Sequence, residues 1–205
     1  MKRSSLVTRS AFVVGLRAVA ALIVVLAVSS SSAADKNPVV VMETSLGTIK
    51  IELWEDKAPG TVKNFLSYVD SKHHDGTIFH RVISDFMIQG GGFTSDLKEK
   101  ETKPAIKNEA SPDVKNEKYT IAMARTGDPD SATAQFFINT RDNDFLNKGS
   151  PKARDKAGYC VFGKVIEGTD VVDKIAAVET EDKGGPFSNI PVKEVTIKSV
   201  RRATK

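Results

Sequence analysis

Short stretches in which apolar and polar residues alternate recur along residues 39–200, and this pattern predicts a chain made mainly of β-strands. The clearest stretch places Ile49, Ile51 and Leu53 on one face, with charged residues between them. The predicted strands cover 39–43, 48–54, 77–82, 86–89, 119–124, 135–140, 159–166 and 192–200.

Two further stretches repeat with the period of an α-helix instead. One begins at Pro59 and places apolar side chains on one face, and the other covers 169–178 with Thr169 as its N-cap. Seven or eight short strands with only two helices favour a closed antiparallel β-barrel. Side chains would fill such a barrel, so any binding site is expected on an outer face. The bulky side chains predicted to point inward are Ile88, Phe136, Ile138 and Val161.

The first 34 residues have the order of charge and hydropathy that is typical of a secretory signal peptide. Four basic residues precede an apolar run of about 11 residues at 18–28, and small residues follow up to Ala34. A membrane span needs about 20 apolar residues, so a cleaved signal is favoured over an uncleaved anchor. We therefore expect a signal peptide at 1–34, one domain at 35–205, and export to the periplasm or out of the cell. No stable membrane span is expected once the leader is removed.

Removal of this leader changes the charge of the chain. Without its four basic residues, 26 of the 30 Lys and Arg remain, equal to the 26 Asp and Glu, so the formal charge falls from +4 to zero. No basic stripe stands out, so nucleic acid is not an expected partner, and a monomer is the default. The apolar neighbours of the single Cys160 predict a buried, unreactive thiol.

Two segments combine amide and large apolar side chains in a way that predicts a peptide-binding surface. They are FHRVISDFMIQGGGFT at 79–94 and QFFINT at 135–140. On a strand, Met87 shares a face with Gln89, and Gln135 shares a face with Phe137. Exposed apolar side chains beside amides suit an extended peptide that carries proline, so we expect these four side chains to be exposed.

Both segments closely resemble the signature of the cyclophilins, the cyclosporin-family peptidyl-prolyl cis/trans isomerases. The resemblance covers nearly all of the chain after the leader. It implies a closed eight-stranded antiparallel β-barrel with a helix over each open end. It also implies an enzyme, without metal or cofactor, that accelerates rotation of X-Pro bonds in proline-containing clients. With the leader, those clients would be exported proteins that are still folding.

Arg81 is the expected catalytic residue, because a permanently charged guanidinium can donate a hydrogen bond to the prolyl nitrogen as the bond twists. The resemblance also implies a set of apolar side chains around the proline ring and a set of amide or backbone groups that hold the peptide. The first set is Phe86, Met87, Phe137 and Leu146, and the second is Gln89, Gln135, Ala124 and Arg125.

Three positions depart from the usual pattern of the family. Phe145 stands where many cyclophilins have tryptophan, so an indole donor is lost and weak cyclosporin binding is expected. Tyr159 takes the place of the pocket histidine. Arg125 stands where asparagine is usual, and its charge is expected to favour acidic neighbours of proline.

Two other functions compete with the enzyme. A cyclophilin-fold module could hold proline segments without turnover, but simple binding needs no donor at the prolyl nitrogen, so Arg81 favours the enzyme. A carrier of apolar ligands would need a hollow barrel. Histidines offer no further chemistry: 73–75 is predicted to be a solvated loop, and His80 a core histidine with its hydrogen bonds satisfied.

Overall fold

The computed structural model describes residues 37–153 and 155–204. The predicted signal peptide at 1–34 lies outside the described residues. Within them, none of the helices has the length and apolar character that a membrane span requires.

The described residues form ten strands and two α-helices. Their bounds are β1 Val39–Thr44, β2 Gly47–Leu53, α1 Pro59–Asp70, β3 Thr77–Ile83, β4 Met87–Thr94, β5 Thr120–Met123, β6 Phe136–Asn139, β7 Val161–Glu167, α2 Thr169–Ala176, β8 Thr180–Glu181, β9 Ile190–Pro191 and β10 Thr196–Arg202. Eight strands close into an antiparallel barrel in the order β1-β10-β3-β4-β6-β5-β7-β2, and β8 pairs with β9 in a separate small sheet. The predicted eight-stranded barrel with two helices is confirmed.

Apolar side chains fill the interior of the barrel. Phe136, Ile138 and Ile88 are fully buried in one core cluster, which also takes up the apolar faces of both helices. Helix α1 contributes the stripe that its sequence predicts, Val62, Phe65, Leu66 and Val69. The filled interior agrees with the rejection of a carrier barrel.

The prediction that Val161 points inward is wrong. Val161 packs in a second apolar cluster outside the barrel, and its neighbours Cys160 and Phe162 lie in the core instead. The register between β5 and β7 shifts between Ile121 and Ala122, so Val161 occupies the opposite face from the one that regular alternation back from Val165 predicts.

The ends of several elements differ from their predictions. Strand β4 runs on through its three glycines to Thr94, and the last strand begins at Thr196 rather than at 192. Helix α2 is capped by the left-handed backbone of Gly168 (φ 84°), and Thr169 is already its first helical residue. The prediction of a Thr169 side-chain cap is therefore wrong.

Candidate active site

Neighbouring strands β3, β4 and β6 bring the predicted site residues onto one outer face of the barrel. Arg81 lies opposite Gln89 across β3 and β4, and Gln89 lies opposite Phe137 across β4 and β6. Residues directly opposite each other on antiparallel strands project from the same face of the sheet. The register therefore places a guanidinium, an amide and a phenyl ring side by side.

The second apolar cluster lies on this face, and we call it the outer cluster. Its buried members are Met87, Ala122, Phe137, Leu146 and Val161. Met87 is 2% exposed and Phe137 is 4% exposed, so the expectation that both are exposed is wrong. Partly buried side chains from neighbouring loops surround them, so the two form a floor rather than an open surface.

A cavity of about 100 Å³ opens above this floor. Pockets that enclose drug-sized ligands measure about 300–1,000 Å³, so this cavity fits a single compact side chain. We call it the first cavity. It brings together nine of the eleven predicted site residues: Arg81, Phe86, Met87, Gln89, Ala124, Arg125, Phe137, Leu146 and Tyr159.

The other two predicted residues, Gln135 and Phe145, lie immediately beside the cavity. The Gln89 amide nitrogen donates a hydrogen bond of 3.0 Å to the Gln135 side-chain oxygen. The Phe145 ring lies 5.4 Å from the ring of Phe86 between centroids. All eleven predicted residues therefore occupy one continuous region.

The Arg81 guanidinium lies beside the apolar floor, 5.8 Å from the centre of the Phe86 ring. Among residues 37–153 and 155–204 it makes no ion pair and no hydrogen bond, although it is only partly exposed. An arginine in this state keeps all five N–H donors for a bound molecule.

Gly92 on β4 allows the Gln135 side chain to lie close to the strand. A Cβ atom at position 92 would come within 2.5 to 2.6 Å of three side-chain atoms of Gln135. The glycines after Gln89 thus do more than end the motif, because one of them makes room for the second amide of the site.

Arg125 does not present its charge to the site as expected. Its side chain is 3% exposed, forms an ion pair with Asp155, and donates a 3.0 Å hydrogen bond to the Gly158 carbonyl. The guanidinium also lies 4.3 Å from the centre of the Tyr159 ring. The prediction that Arg125 attracts acidic neighbours of proline is therefore wrong, and its observed contacts fix the wall that Tyr159 forms.

Buried asparagines support the loop that carries Phe145 and Leu146, and sequence reasoning missed this role. The Asn143 side-chain amide donates a 2.7 Å hydrogen bond to the Asn139 side-chain oxygen, and the Asn139 amide donates to the Asn116 side-chain oxygen. The backbone N–H and the side-chain amide of Asn116 both donate to the Asn147 side-chain oxygen. The only sequence signal was the frequency of asparagine around 139–147.

The three histidines lie outside the first cavity. His74 is fully buried, and its Nε2 lies 3.2 Å from the Ala134 carbonyl, so the prediction of a solvated loop is wrong for this residue. Burial lowers the pKa of His74 and of His80 to about 4 in each case. Nδ1 of His80 has no hydrogen-bond partner within the described part of the chain, so the prediction of a satisfied histidine is also wrong.

Cys160 is buried as predicted, and desolvation raises the pKa of its thiol to about 11. A thiol with such a pKa stays protonated at neutral pH and is a poor nucleophile. In the ranges 37–153 and 155–204, no group of three His, Cys, Asp or Glu side chains is arranged to hold a metal ion.

The geometry defines a class of protein: a filled β-barrel with a compact apolar cavity on its outer face, flanked by a guanidinium with unused donors and by two amides. Such a face suits an extended peptide with one compact apolar residue. Residues 39–202 match the family described as cyclophilin type peptidyl-prolyl cis-trans isomerase/CLD. This chain belongs to that family and is a peptidyl-prolyl cis-trans isomerase.

Known relatives agree with this assignment. Peptidyl-prolyl cis-trans isomerase cyp18 of Streptomyces antibioticus is 57% identical over 160 residues, covering 78% of this chain and 95% of the relative. Peptidyl-prolyl cis-trans isomerase A of Dickeya dadantii is 50% identical over 188 residues, covering 90% and 96%. A crystal structure of a Cryptosporidium parvum cyclophilin type isomerase matches with a TM-score of 0.67 at 26% identity, covering 82% of this chain and 98% of that one.

Proposed function

We propose that this isomerase acts on exported proteins while they fold, that the first cavity holds the proline ring, and that Arg81 stabilises the twisted transition state. The observation that carries the proposal is the Arg81 guanidinium, which lies beside a cavity of about 100 Å³ with an apolar floor and uses none of its donors within the described residues.

The reaction needs little more than such a donor. Amide resonance gives the X-Pro bond a rotation barrier of about 18–20 kcal/mol, and uncatalysed exchange takes tens to hundreds of seconds. As the bond twists, the resonance is lost and the prolyl nitrogen regains its lone pair. A hydrogen bond to that lone pair forms in the transition state and in neither ground state, which is the condition for catalysis.

One charged donor in a site that excludes part of the water can supply the transition-state stabilisation that the reaction requires. An acceleration of four decades corresponds to about 5.4 kcal/mol. The apolar floor formed by Met87 and Phe137 excludes water from the ring, which strengthens a charged hydrogen bond beside it. Gln89 and Gln135, joined by their 3.0 Å hydrogen bond, offer remaining amide groups to the backbone of the peptide.

A prolyl-bond relaxation assay tests the role of Arg81. We expect Arg81→Ala to lower kcat/KM by about 100-fold or more, the range found when one transition-state donor is removed, while the Kd for a proline peptide changes by less than about threefold. Arg141→Ala is the control, because Arg141 is an exposed arginine paired with Asp85. Full turnover by Arg81→Ala would overturn its role. Peptide binding without any turnover by the wild type would instead indicate a proline-binding chaperone.

Export rests on the leader. Its charged, apolar and small-residue order supports the proposal, and so does the alignment with the Dickeya dadantii relative, which covers 90% of this chain and therefore extends beyond residues 35–205 into the leader. Expression in a secreting bacterium, followed by fractionation and mass measurement, tests it. Cleavage near Ala34 and recovery from the periplasm or medium are expected. An intact leader in the membrane fraction would establish an anchor instead.

We also propose that cyclosporin binds weakly. Phe145 stacks near Phe86 and keeps an apolar wall but has no N–H donor. If the missing donor is the cause, Phe145→Trp raises cyclosporin affinity by about fivefold or more, the equivalent of one net hydrogen bond of about 1 kcal/mol. Unchanged affinity in a titration would show that another feature of the site limits binding.

A further inference from the structure

A larger cavity of about 590 Å³ adjoins the first one, and we call it the second cavity. Arg81, Gln89 and Arg125 line both cavities, so the two are continuous along this face. An extended peptide advances about 3.3–3.6 Å per residue, so a residue one to three positions from a proline in the first cavity reaches the second. Its remaining lining residues are His80, Phe93, Glu99, Gln135, Gly185, Pro186, Ser188 and Asn189.

The outer wall of the second cavity is an ordered part of the fold. The segment 185–189 is fastened by Phe187, whose ring lies 5.0 Å from the ring of Phe93 and 6.4 Å from that of His80 between centroids. The backbone N–H of Val82 also donates a 2.8 Å hydrogen bond to the Asn189 carbonyl. The cavity therefore has two anchored sides, one from the barrel and one from this segment.

Glu99 is the acidic residue among the residues that line the second cavity. Within the described ranges its carboxylate has no ion pair, because the neighbouring cations are engaged elsewhere. Lys98 pairs with Asp96 at 2.7 Å, and Lys100 donates a hydrogen bond to the His73 carbonyl. The Gln135 amide donates to one oxygen of Glu99 at 3.3 Å, which leaves the other oxygen for a ligand.

Two arginines line the second cavity, and only one of them is neutralised: Arg125 pairs with Asp155. Arg81 keeps its charge, so a bound cation would be held at the Glu99 wall and repelled by Arg81. Burial, followed by the nearby Arg81 charge, lowers the pKa of His80 to about 4, so its imidazole is neutral near pH 7. Nδ1 of this ring is buried and has no partner within the part of the chain that the structure describes.

We propose that the second cavity is a specificity subsite that accepts a Lys or Arg side chain of the client close to its proline, with Glu99 as the counter-ion. This inference rests on the proposed function, because it requires the proline to lie in the first cavity. Such a subsite gives the enzyme a preference for clients with basic residues near proline. This is the opposite of the acidic preference that the presence of Arg125 in the sequence had predicted.

The test uses three sets of proline peptides: one set carries Lys, one Gln and one Glu at the tested position. Within each set, that position is in turn each of the three residues before proline and each of the three after it. We expect kcat/KM at low ionic strength to be about fivefold higher for Lys than for Glu at one or more of these positions, as an exposed ion pair allows. Glu99→Gln should abolish this ratio and Glu99→Lys should reverse it. Glu101→Gln is the control: Glu101 lies two residues after Glu99, is exposed and lines neither cavity. This variant removes the same charge and should keep the preference for Lys over Glu.

Equal rates for Lys and Glu peptides at every position would overturn the subsite, and so would an equal loss of preference in Glu101→Gln, which would indicate net charge alone. The neutral Gln peptides separate this result from failure of the proposed function. If they are not isomerised, the catalytic proposal fails. If catalysis fails in this way, fluorescence anisotropy still measures whether Lys peptides bind more tightly than Glu peptides.

Discussion

Arg125 and Asp155 form an ion pair in which the arginine side chain is almost completely buried. The same guanidinium donates to the Gly158 carbonyl and lies against the Tyr159 ring, so it joins the end of β5 to the loop that carries this wall of the first cavity. The hydrogen bond from Arg125, and the backbone N–H of Ala157, lower the pKa of Asp155. Asp155 therefore stays ionised at neutral and mildly acidic pH.

Asp155→Asn should weaken both stability and substrate binding. It leaves a buried guanidinium without its counter-ion, which costs about 1–2 kcal/mol of unfolding free energy after allowance for the partial exposure of Asp155. We expect KM to rise several-fold, because Tyr159 loses support, with little change in kcat. Urea unfolding and a substrate titration measure the two effects. Asp170→Asn, in an exposed pair with Lys174, should cost less than about 0.5 kcal/mol, and equal losses in the two variants would contradict the assignment.

Gly92→Ala should disturb the site while leaving the fold intact. The new Cβ would overlap the Gln135 side chain from Cγ outward, so this partly exposed side chain has to rotate about χ1. The 3.0 Å hydrogen bond between Gln89 and Gln135 would then break. We expect kcat/KM to fall about tenfold, the effect of losing about 1.4 kcal/mol of peptide binding, with unfolding free energy changed by less than about 1 kcal/mol.

Gly127→Ala is the matched control for this change. A Cβ atom at position 127 would meet no atom within 4 Å, so activity and stability should stay close to those of the wild type. A similar loss of activity in both variants would show that glycine flexibility, rather than the space needed by Gln135, matters at Gly92.

Alternation predicted the strands of a β-barrel, and the resemblance to the cyclophilins implied which residues form the site. Alternation also put Met87 and Gln89 on one face of β4, and the observed register places that face beside Phe137 on β6. It could not predict Val161, because a register shift between strands has no signature in either strand alone.

Contacts over long sequence separations account for two other errors. The burial of Arg125 depends on Asp155, which lies in a loop 30 residues later. The burial of His74 depends on its neighbour Ala134, 60 residues later, and on rings packed around it. A residue's own sequence neighbourhood contains no information about such partners, so both side chains were expected to be solvated.

Glu109 should stabilise α1 although it lies 48 residues along the chain from Thr61 in the first turn of that helix. Its carboxylate accepts hydrogen bonds from the backbone N–H groups of Gly60 and Thr61, at 3.1 and 2.7 Å, and from the Thr61 hydroxyl. The helix has no side-chain cap of its own, because Ala58 stands at the N-cap. Glu109→Ala should therefore lower the unfolding free energy by about 1–2 kcal/mol.

Urea unfolding measures this loss, and isomerase activity well below the melting transition should remain at the wild-type level because Glu109 lines neither cavity. Glu179→Ala, which removes an exposed glutamate elsewhere, should change stability by less than about 0.5 kcal/mol. If the two variants have the same stability, the capping contacts contribute nothing measurable.

The buried histidines should make the fold sensitive to mild acid. The pKa of His74 falls from its ordinary value of 6.5 to about 4, chiefly through desolvation. Between these two pH values the unfolded chain binds a proton that the folded chain does not. Stability is therefore fully present above pH 6.5 and is lost as the pH falls toward 4, by at most about 1.4 kcal/mol per pH unit for each such histidine.

His80 has a similar shift, and desolvation also lowers the pKa of His73, so His74→Gln should remove at most about half of this slope rather than all of it. Unfolding free energies at pH 7.5, 6.5, 5.5 and 4.5 measure it. Asp70→Asn is the control: its hydrogen bond from Arg202 lowers the pKa of Asp70, so its contribution is lost only below about pH 4 and the slope from 6.5 to 4.5 should not change. A wild-type stability that stays constant between pH 7.5 and 4.5 would mean that the folded protein protonates these histidines as readily as the unfolded chain does.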